Sequence, residues 1–192
     1  SIESQLSACN LSSWPSQTEV AAILGVTRGR VGQLVGKFQE RWAKDPPLTC
    51  LRTSITDILT AAGVVMTIGE LAESILVARG SVEDEPRRTI LATAVARACF
   101  EVERTMDEPR FLVRRDDSRV LVALSQELTS YAGKLGDEAD KLAGEDPLVS
   151  PARVLQRLRE VAAPASHPPL SDARIIRLAA AASRVAVEIG RA

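Results

Sequence analysis

The sequence predicts a mainly α-helical protein that contains one β-hairpin. Apolar residues recur with helical spacing through most of the 192 residues, whereas the alternation typical of strands occurs once. Aromatic residues make up 3% of the chain and alanine accounts for 27 residues, which favours closely packed helices over a sandwich of sheets. We expect a helix-turn-helix, then a winged helix with one β-hairpin, then a helical segment.

Prolines and patches of charge divide the chain. Residues before proline avoid the helical conformation, so Asp45-Pro46-Pro47 ends the first segment. The net charge of −1 excludes a protein that is basic throughout, but residues 19–44 alone carry +3. The expected organisation is a helix-turn-helix at 1–46, a winged-helix domain at 47–125 and a helical module at 126–192.

The first segment has the start and stop signals of two short helices. Ser16-Gln17-Thr18-Glu19 fits a capping box, in which the serine hydroxyl and the glutamate carboxylate bond each other's backbone N–H groups. Gly25 can take the left-handed conformation that ends a helix. Thr27 then caps a second helix that runs to about residue 43.

Seven residues fall at the spacing that a DNA-binding helix-turn-helix requires. Ala21 is small where the second helix crosses, Gly25 makes the turn and Val26 fills it. An αα-corner without a role in DNA binding is the alternative. The seven positions are Val20, Ala21, Leu24, Gly25, Val26, Val31 and Leu34.

The second helix carries an apolar stripe and, about 100° round from it, a polar one. Arginine reads guanine and glutamine reads adenine in the major groove, and lysine more often binds phosphate. Glu40 alone interrupts the polar stripe, and a solvated helix face is the alternative. The apolar stripe is Val31, Leu34, Val35, Phe38 and Trp42. The expected DNA contacts are Arg28, Arg30 and Gln33 to bases, and Lys37, Arg41 and Lys44 to phosphates.

Three glycines form a further face of this helix. Gly29, Gly32 and Gly36 each lower helix stability, by roughly 0.5–1 kcal/mol relative to alanine. A smooth stripe of this kind admits another backbone, which can belong to DNA, a neighbouring helix or a second copy of the chain. We expect a close helix contact there, with self-association as one form of it.

The second segment has the element order of a winged helix. Apolar spacing predicts helices from about Leu48 to Gly63 and from about Pro86 to Thr105, and a second capping box at residues 67–70 opens a helix between them. Alternating residues at 110–124 predict a hairpin wing. Acidic residues nearby would repel DNA, so a protein-interaction module is an equal alternative. The expected phosphate contacts are Arg87, Arg88, Arg114, Arg115 and Arg119.

The remaining features exclude several function classes. His167 stands alone in a proline-rich loop, the carboxylates lie on solvated helix faces, and no kinase motif or metal-ligand pattern occurs. We therefore expect no catalysis and no cofactor.

No apolar run is long enough to cross a membrane, and three scattered cysteines fit a reducing cytoplasm. In the third segment the apolar spacing predicts helices, and we expect their arginines to lie on solvent-exposed faces.

Three stretches of the sequence resemble a known family. They are WPSQTEVAAILGVTRGRVGQL at 14–34, VMTIGELAE at 65–73 and LSDARIIRLAAAAS at 170–183. They look like the non-catalytic region after the kinase domain in PglW-type serine/threonine kinases of the bacterial phage growth limitation and type 2 BREX defence systems. The helix-turn-helix also resembles region 4 of sigma factors, a likeness that is generic to the motif.

The resemblance implies a piece of a multidomain defence kinase. It supplies no catalytic residues, because the kinase motifs are absent from this sequence. We expect a regulatory or sensing module that binds double-stranded DNA. Two alternatives stay open: a scaffold that docks other phage-defence proteins, and a stand-alone transcription regulator.

Overall fold

The computed structural model describes residues 14–116, 119–146 and 148–185. These residues are mainly helical with one small antiparallel sheet, which confirms the predicted mainly α-helical class, whereas the winged-helix arrangement stays a prediction. The chain divides into two compact units, each built from two stretches of sequence. The first unit comprises described residues 14–55 and 72–109, and the second comprises 56–71 and 110–185. Neither unit coincides with one of the three predicted segments at 1–46, 47–125 and 126–192. The division into three segments therefore stays a prediction.

Eight helices and three strands make up the described part of the chain. The short strand β1 had no counterpart in the sequence prediction, whereas the predicted hairpin is present as β2 and β3. The helices are α1 (Gln17–Leu24), α2 (Arg28–Ala43), α3 (Pro46–Ala61), α4 (Ile68–Arg79), α5 (Arg87–Glu103), α6 (Gln126–Glu145), α7 (Pro151–Glu160) and α8 (Asp172–Ala182). The strands are β1 (Val65–Thr67), β2 (Leu112–Asp116) and β3 (Arg119–Ala123).

Local hydrogen bonds set the starts of the first helices. The predicted capping box at α1 is confirmed, because the Glu19 N–H donates to Ser16 Oγ at 3.2 Å and the Ser16 N–H donates to the Glu19 carboxylate. Gly25 ends α1 at a φ of 62°, and Thr27 Oγ1 accepts from the Arg30 N–H at 3.2 Å. These caps fix where α1 stops and where α2 begins.

The proline pair does not only end the first segment but also begins α3. Asp45 Oδ1 accepts a hydrogen bond from the Leu48 N–H at 3.1 Å and so caps the new helix. Pro46 and Pro47 occupy its first turn, where a missing N–H costs nothing because that group has no partner within a helix. The helix therefore starts two residues before the apolar pattern does.

The first unit packs α2 against α1 and α5. Gln39 Nε2 on α2 donates to the backbone oxygen of Glu101 at 3.0 Å and to its carboxylate at 3.1 Å. The Trp14 and Phe100 rings lie 5.5 Å apart, and the Arg97 guanidinium lies 5.2 Å from the Trp14 ring centroid. The Gln39 bonds hold the inner face of α2 on α5, and the Trp14 contacts join the segment before α1 to α5.

A buried ion pair joins α3 to α5 in the same unit. Arg52 Nε lies 2.7 Å from Glu103 Oε1, and the two side chains are 8% and 1% exposed. A buried charge is tolerated only when it is paired and hydrogen-bonded. The pair therefore fixes these two helices against each other.

The second unit centres on a three-stranded sheet in the order β1-β3-β2. Both pairings are antiparallel, with Val65 opposite Ala123 on one side and Leu112 opposite Ala123 on the other. All of β3 is buried, because strands flank both of its edges and α6 packs against it. This explains its nearly continuous apolar sequence.

Helices α6 and α8 approach each other closely at Gly136. A Cβ atom built on Gly136 would lie 2.2 Å from the backbone oxygen of Ala182, a distance that no side chain tolerates. The helices therefore pack backbone to backbone at this point. Hydrophobic residues of α6, α7, α8 and the sheet surround the contact in one core.

Glu70 links the start of α4 to α8. The predicted capping box is confirmed, because the Thr67 N–H donates to Glu70 Oε2 at 3.1 Å and the Glu70 N–H donates to Thr67 Oγ1 at 3.3 Å. Arg174 adds a bond to Glu70 Oε1 at 2.7 Å and one to the Val65 backbone oxygen at 2.6 Å. Burial alone raises the pKa of Glu70, but the bonds from Arg174 and Thr67 and the charges of Arg174 and Arg177 together lower that pKa below its ordinary 4.5.

We expect Gly136→Ala to destabilise the protein by about 1–3 kcal/mol, since the new methyl group must displace backbone rather than a flexible side chain. Urea denaturation measures the change. Gly144→Ala is the matched control: nothing lies within 4 Å of its Cβ position, so the better helix propensity of alanine should raise stability slightly. Equal stabilities of Gly136→Ala and wild type would contradict the close approach of the helices.

We expect Glu70→Gln to lower the free energy of unfolding at neutral pH by about 1.5–3 kcal/mol, the typical contribution of hydrogen bonds to a charged group. A carboxylate with a lowered folded pKa stabilises the protein above its unfolded pKa, and this contribution is lost as the pH falls through the folded pKa. The stability difference between wild type and variant should therefore be full above pH 4.5 and shrink below it. Urea midpoints between pH 7 and pH 3 test this, with exposed Glu73→Gln as the control.

Candidate nucleic-acid interface

Helix α2 presents the predicted polar stripe to solvent. All members are exposed, as is Arg28 in the first turn. The stripe runs along about 21 Å of the helix, since each residue adds about 1.5 Å. Its members are Arg30, Gln33, Lys37, Arg41 and Lys44. The structure therefore brings together on one helix the contacts that the sequence analysis proposed there.

Within the described residues, the cations of α2 have no carboxylate partners. In the part of the chain that the structure describes, none of the five forms an ion pair, and Glu40 is the single acidic residue of α2. Because no internal carboxylate neutralises them, their charge is available to an anionic partner. The five are Arg28, Arg30, Lys37, Arg41 and Lys44.

The two residues expected to read bases contact each other. Arg30 Nη1 donates to Gln33 Oε1 at 3.3 Å, across one turn of the exposed face. This bond restricts both side chains before any partner arrives. A polar side chain that is already ordered loses less conformational entropy when it binds.

The apolar side of the helix-turn-helix is less buried than expected. Ala21 and Val31 are 4% and 5% exposed, but Leu24, Val26 and Phe38 are 44%, 39% and 44% exposed. The predicted core position of Phe38 and the predicted filling of the turn by Val26 are therefore wrong. Ala21 is the one fully buried residue of the eight-residue α1, so the turn that follows this helix lies at the surface.

The glycine face of α2 lies open in the described structure. A Cβ on Gly36 would meet nothing within 4 Å, and one on Gly29 or Gly32 would meet one side-chain atom at 3.9 or 3.8 Å. The expected close contact with another helix is thus not formed within the described residues. Self-association through this face stays a prediction.

The cations at the start of α5 already have partners. Arg87 Nε lies 3.4 Å from Glu83 Oε2, and Arg88 Nε lies 2.5 Å from Glu85 Oε1. Exposed pairs of this kind are weak, so a phosphate can compete for them. Both arginines are nevertheless poorer candidates than the cations of α2, because the neighbouring carboxylates remain close.

The three arginines of the β2–β3 hairpin differ in their exposure and in their hydrogen-bond partners. Arg115 is exposed, and Arg114 is half-buried with its Nη1 donating to Ser130 Oγ at 3.1 Å. Arg119 is 5% exposed, and its guanidinium bonds the backbone oxygens of Ala182 at 2.7 Å and Gly133 at 3.4 Å. A side chain in this position cannot reach phosphate, so Arg119 leaves the set of expected DNA contacts. Its burial follows from its place on the central strand beside the glycines of α6.

His167 has a partner that the sequence analysis did not foresee. Its Nε2 lies 3.2 Å from the hydroxyl of Ser125, which also caps α6 by accepting from the Leu128 N–H at 3.4 Å. The contact ties the proline-rich loop to the start of α6. Within the described ranges, no three His, Cys, Asp or Glu residues are grouped to hold a metal ion, and no helix is long and apolar enough to cross a membrane.

Comparison with known proteins finds that the sequence is similar to part of one kinase. The chain is 31% identical over 191 residues to "Probable kinase PglW" of Streptomyces coelicolor. The match covers 88% of this chain but 12% of the kinase, so the chain spans about an eighth of that protein's length. The likeness is consistent with a region of a PglW-type protein. No protein-family model matches the sequence, and no solved structure does.

Proposed function

We propose that this chain is a DNA-binding regulatory or sensing module of a PglW-type defence kinase. The observation that carries the proposal is the row of exposed cations on α2, none of which is neutralised by a carboxylate in the described structure. Likeness to a segment of a longer kinase supports a module over a stand-alone transcription regulator. Catalysis then belongs to another part of the parent protein.

In this proposal α2 lies in the major groove with its N-terminal turn against the bases. Arg28 and Arg30 would donate to guanine, and Gln33, already bonded to Arg30, would read adenine. Lys37, Arg41 and Lys44 follow toward the end of the helix and would contact phosphates. The inner face of α2 stays on α5 through Gln39, so the helix docks without rearrangement.

The remaining elements supply a weaker second contact. Residues 46–123 run in the order helix, strand, helix, helix and hairpin, which is the order of a winged helix. We assign Arg114 and Arg115 of the hairpin to the phosphate backbone. In the first unit, Arg87 and Arg88 can bind phosphate if they exchange their carboxylate partners for it.

We expect Lys37→Gln and Arg41→Gln each to weaken binding to all duplex sequences about equally, because both residues are assigned to phosphate. Each lost phosphate contact should also reduce the slope of log affinity against log salt by about 0.9. Fluorescence anisotropy with a mixed-sequence duplex at several salt concentrations measures both quantities.

Two variants of the same series act as controls. Glu40→Gln removes the one carboxylate of α2 and should strengthen binding, whereas Arg153→Gln deletes an exposed positive charge from the second unit and should change little. If Arg153→Gln weakens binding as much as Lys37→Gln does, net charge rather than α2 governs affinity. The assignment of the interface would then be wrong.

Arg28→Ala with Arg30→Ala should reduce discrimination between sequences more than it reduces overall affinity. A bidentate contact to a base is worth about 1–3 kcal/mol of discrimination, whereas the phosphate contacts are left in place. Selection of preferred duplexes from a random pool, followed by competition with mixed DNA, measures the ratio. An unchanged ratio in the double variant would remove both arginines from the reading surface.

A docking scaffold for partner defence proteins is the second candidate function. Its support is an apolar groove of about 280 Å³ in the first unit, lined by α3, α4 and α5. Leu91 and Val95 at its edge are 42% and 39% exposed, a pattern typical of sites that receive an apolar helix. Absence of DNA binding at low salt, together with a salt-insensitive complex with a purified partner, would favour this function.

A further inference from the structure

Two aromatic rings of α2 stack at the edge of the polar stripe. The ring centroids of Phe38 and Trp42 lie 5.3 Å apart, and the ring planes are inclined by 21°. Trp42 is half-buried, whereas Phe38 is 44% exposed. Trp42 stacks on one side of the Phe38 ring, and within the described residues no second aromatic ring contacts Phe38.

The exposed ring lies beside the cations assigned to phosphate. Phe38 directly follows Lys37 and precedes Arg41 by three residues, which places it about 60° round the helix from Arg41 and within one turn of it. Neither cation forms an ion pair in the described structure. One turn of α2 therefore offers positive charge on one face and an open aromatic surface on the next.

Aromatic rings flanked by cations bind nucleobases by stacking, and any base can stack because each has a π-face. A base inside a duplex has both of its faces covered by neighbouring base pairs, and unstacking a step costs about a few kcal/mol before a ring can contact it. Trp42 already occupies one face of Phe38. The pair can thus receive one base on its open face, which requires a base that is not stacked within a duplex.

We propose that the Phe38–Trp42 pair is a stacking platform for a single unpaired base, so that the chain binds DNA with unpaired nucleotides more tightly than fully paired DNA. The inference rests on the proposed DNA-binding function and specifies its substrate. Lys37 and Arg41 hold the backbone, and the base extends the Phe38–Trp42 stack by one ring.

The test compares two DNA probes with equal numbers of phosphates, a blunt duplex and a duplex with a short single-stranded overhang that carries 2-aminopurine. We expect wild-type protein to prefer the overhang by roughly 5- to 150-fold, the equivalent of about 1–3 kcal/mol for a stacked base. We also expect it to quench the 2-aminopurine fluorescence. Phe38→Leu should lose both the preference and the quenching, while Phe38→Tyr should keep them.

Val77→Ala is the control, because Val77 is an exposed apolar residue of the same unit and lies outside the helix-turn-helix. It should leave both readouts unchanged, and equal thermal unfolding of the variants shows that the fold is intact. If wild type binds both probes equally, or if Phe38→Leu keeps the preference and the quenching, the platform is refuted while duplex binding stands. If neither probe binds at low salt, the proposed DNA-binding function fails and the platform fails with it.

Discussion

The second unit depends on how one buried positive charge is solvated. The Arg119 guanidinium is removed from water, so backbone oxygens at Gly133 on α6 and at Ala182 on α8 must take the place of the water. Those oxygens converge on one group because α6 and α8 pack backbone to backbone at Gly136. The buried charge of Arg119, the absence of a side chain at Gly136 and the position of the Ala182 oxygen at the end of α8 therefore depend on one another. Asp137, 3.3 Å from Arg119 Nη2, completes it at the surface.

On α2 of the first unit, the residues that pack the helix are distinct from those of the exposed polar stripe. Gln39 and Val31 hold α2 from within, and the Arg52–Glu103 pair fixes the helices beneath it. No cation of the outer stripe takes part in those contacts. The exposed cations can therefore be substituted without loss of packing contacts. Substitution of Gln39 or Val31 would remove contacts that hold α2 in place. This separation is typical of sites carried on a rigid scaffold.

Local features were predictable from the sequence and long-range ones were not. The caps at Ser16, Thr27 and Thr67 and the stripe of α2 depend on neighbours three or four residues away, and they stand where the pattern predicted them. Arg119 looked like its exposed neighbour Arg115, because its burial depends on Ala182, 63 residues further on. The spacing of Gly133 and Gly136, together with the alanine run of α8, is a signal from which the close approach could have been predicted, but the sequence analysis drew no such inference. The apolar stripe of α2 did not predict the exposure of Phe38, because the spacing within one helix does not show which of its residues another element covers.

In the described structure the cations of α2 form no ion pairs, and unfavourable electrostatic interactions among them lower the stability of the helix. Arg28 and Arg30 occupy the first turn, where the positive end of the helix dipole disfavours cations and where acidic residues are absent. Lys37 and Arg41 stand four residues apart and repel each other. Salt screens both effects, so ions that weaken the hold of α2 on a polyanion also stabilise α2 alone. In the proposed DNA complex, phosphates would neutralise these cations and so remove a repulsion that destabilises the free helix.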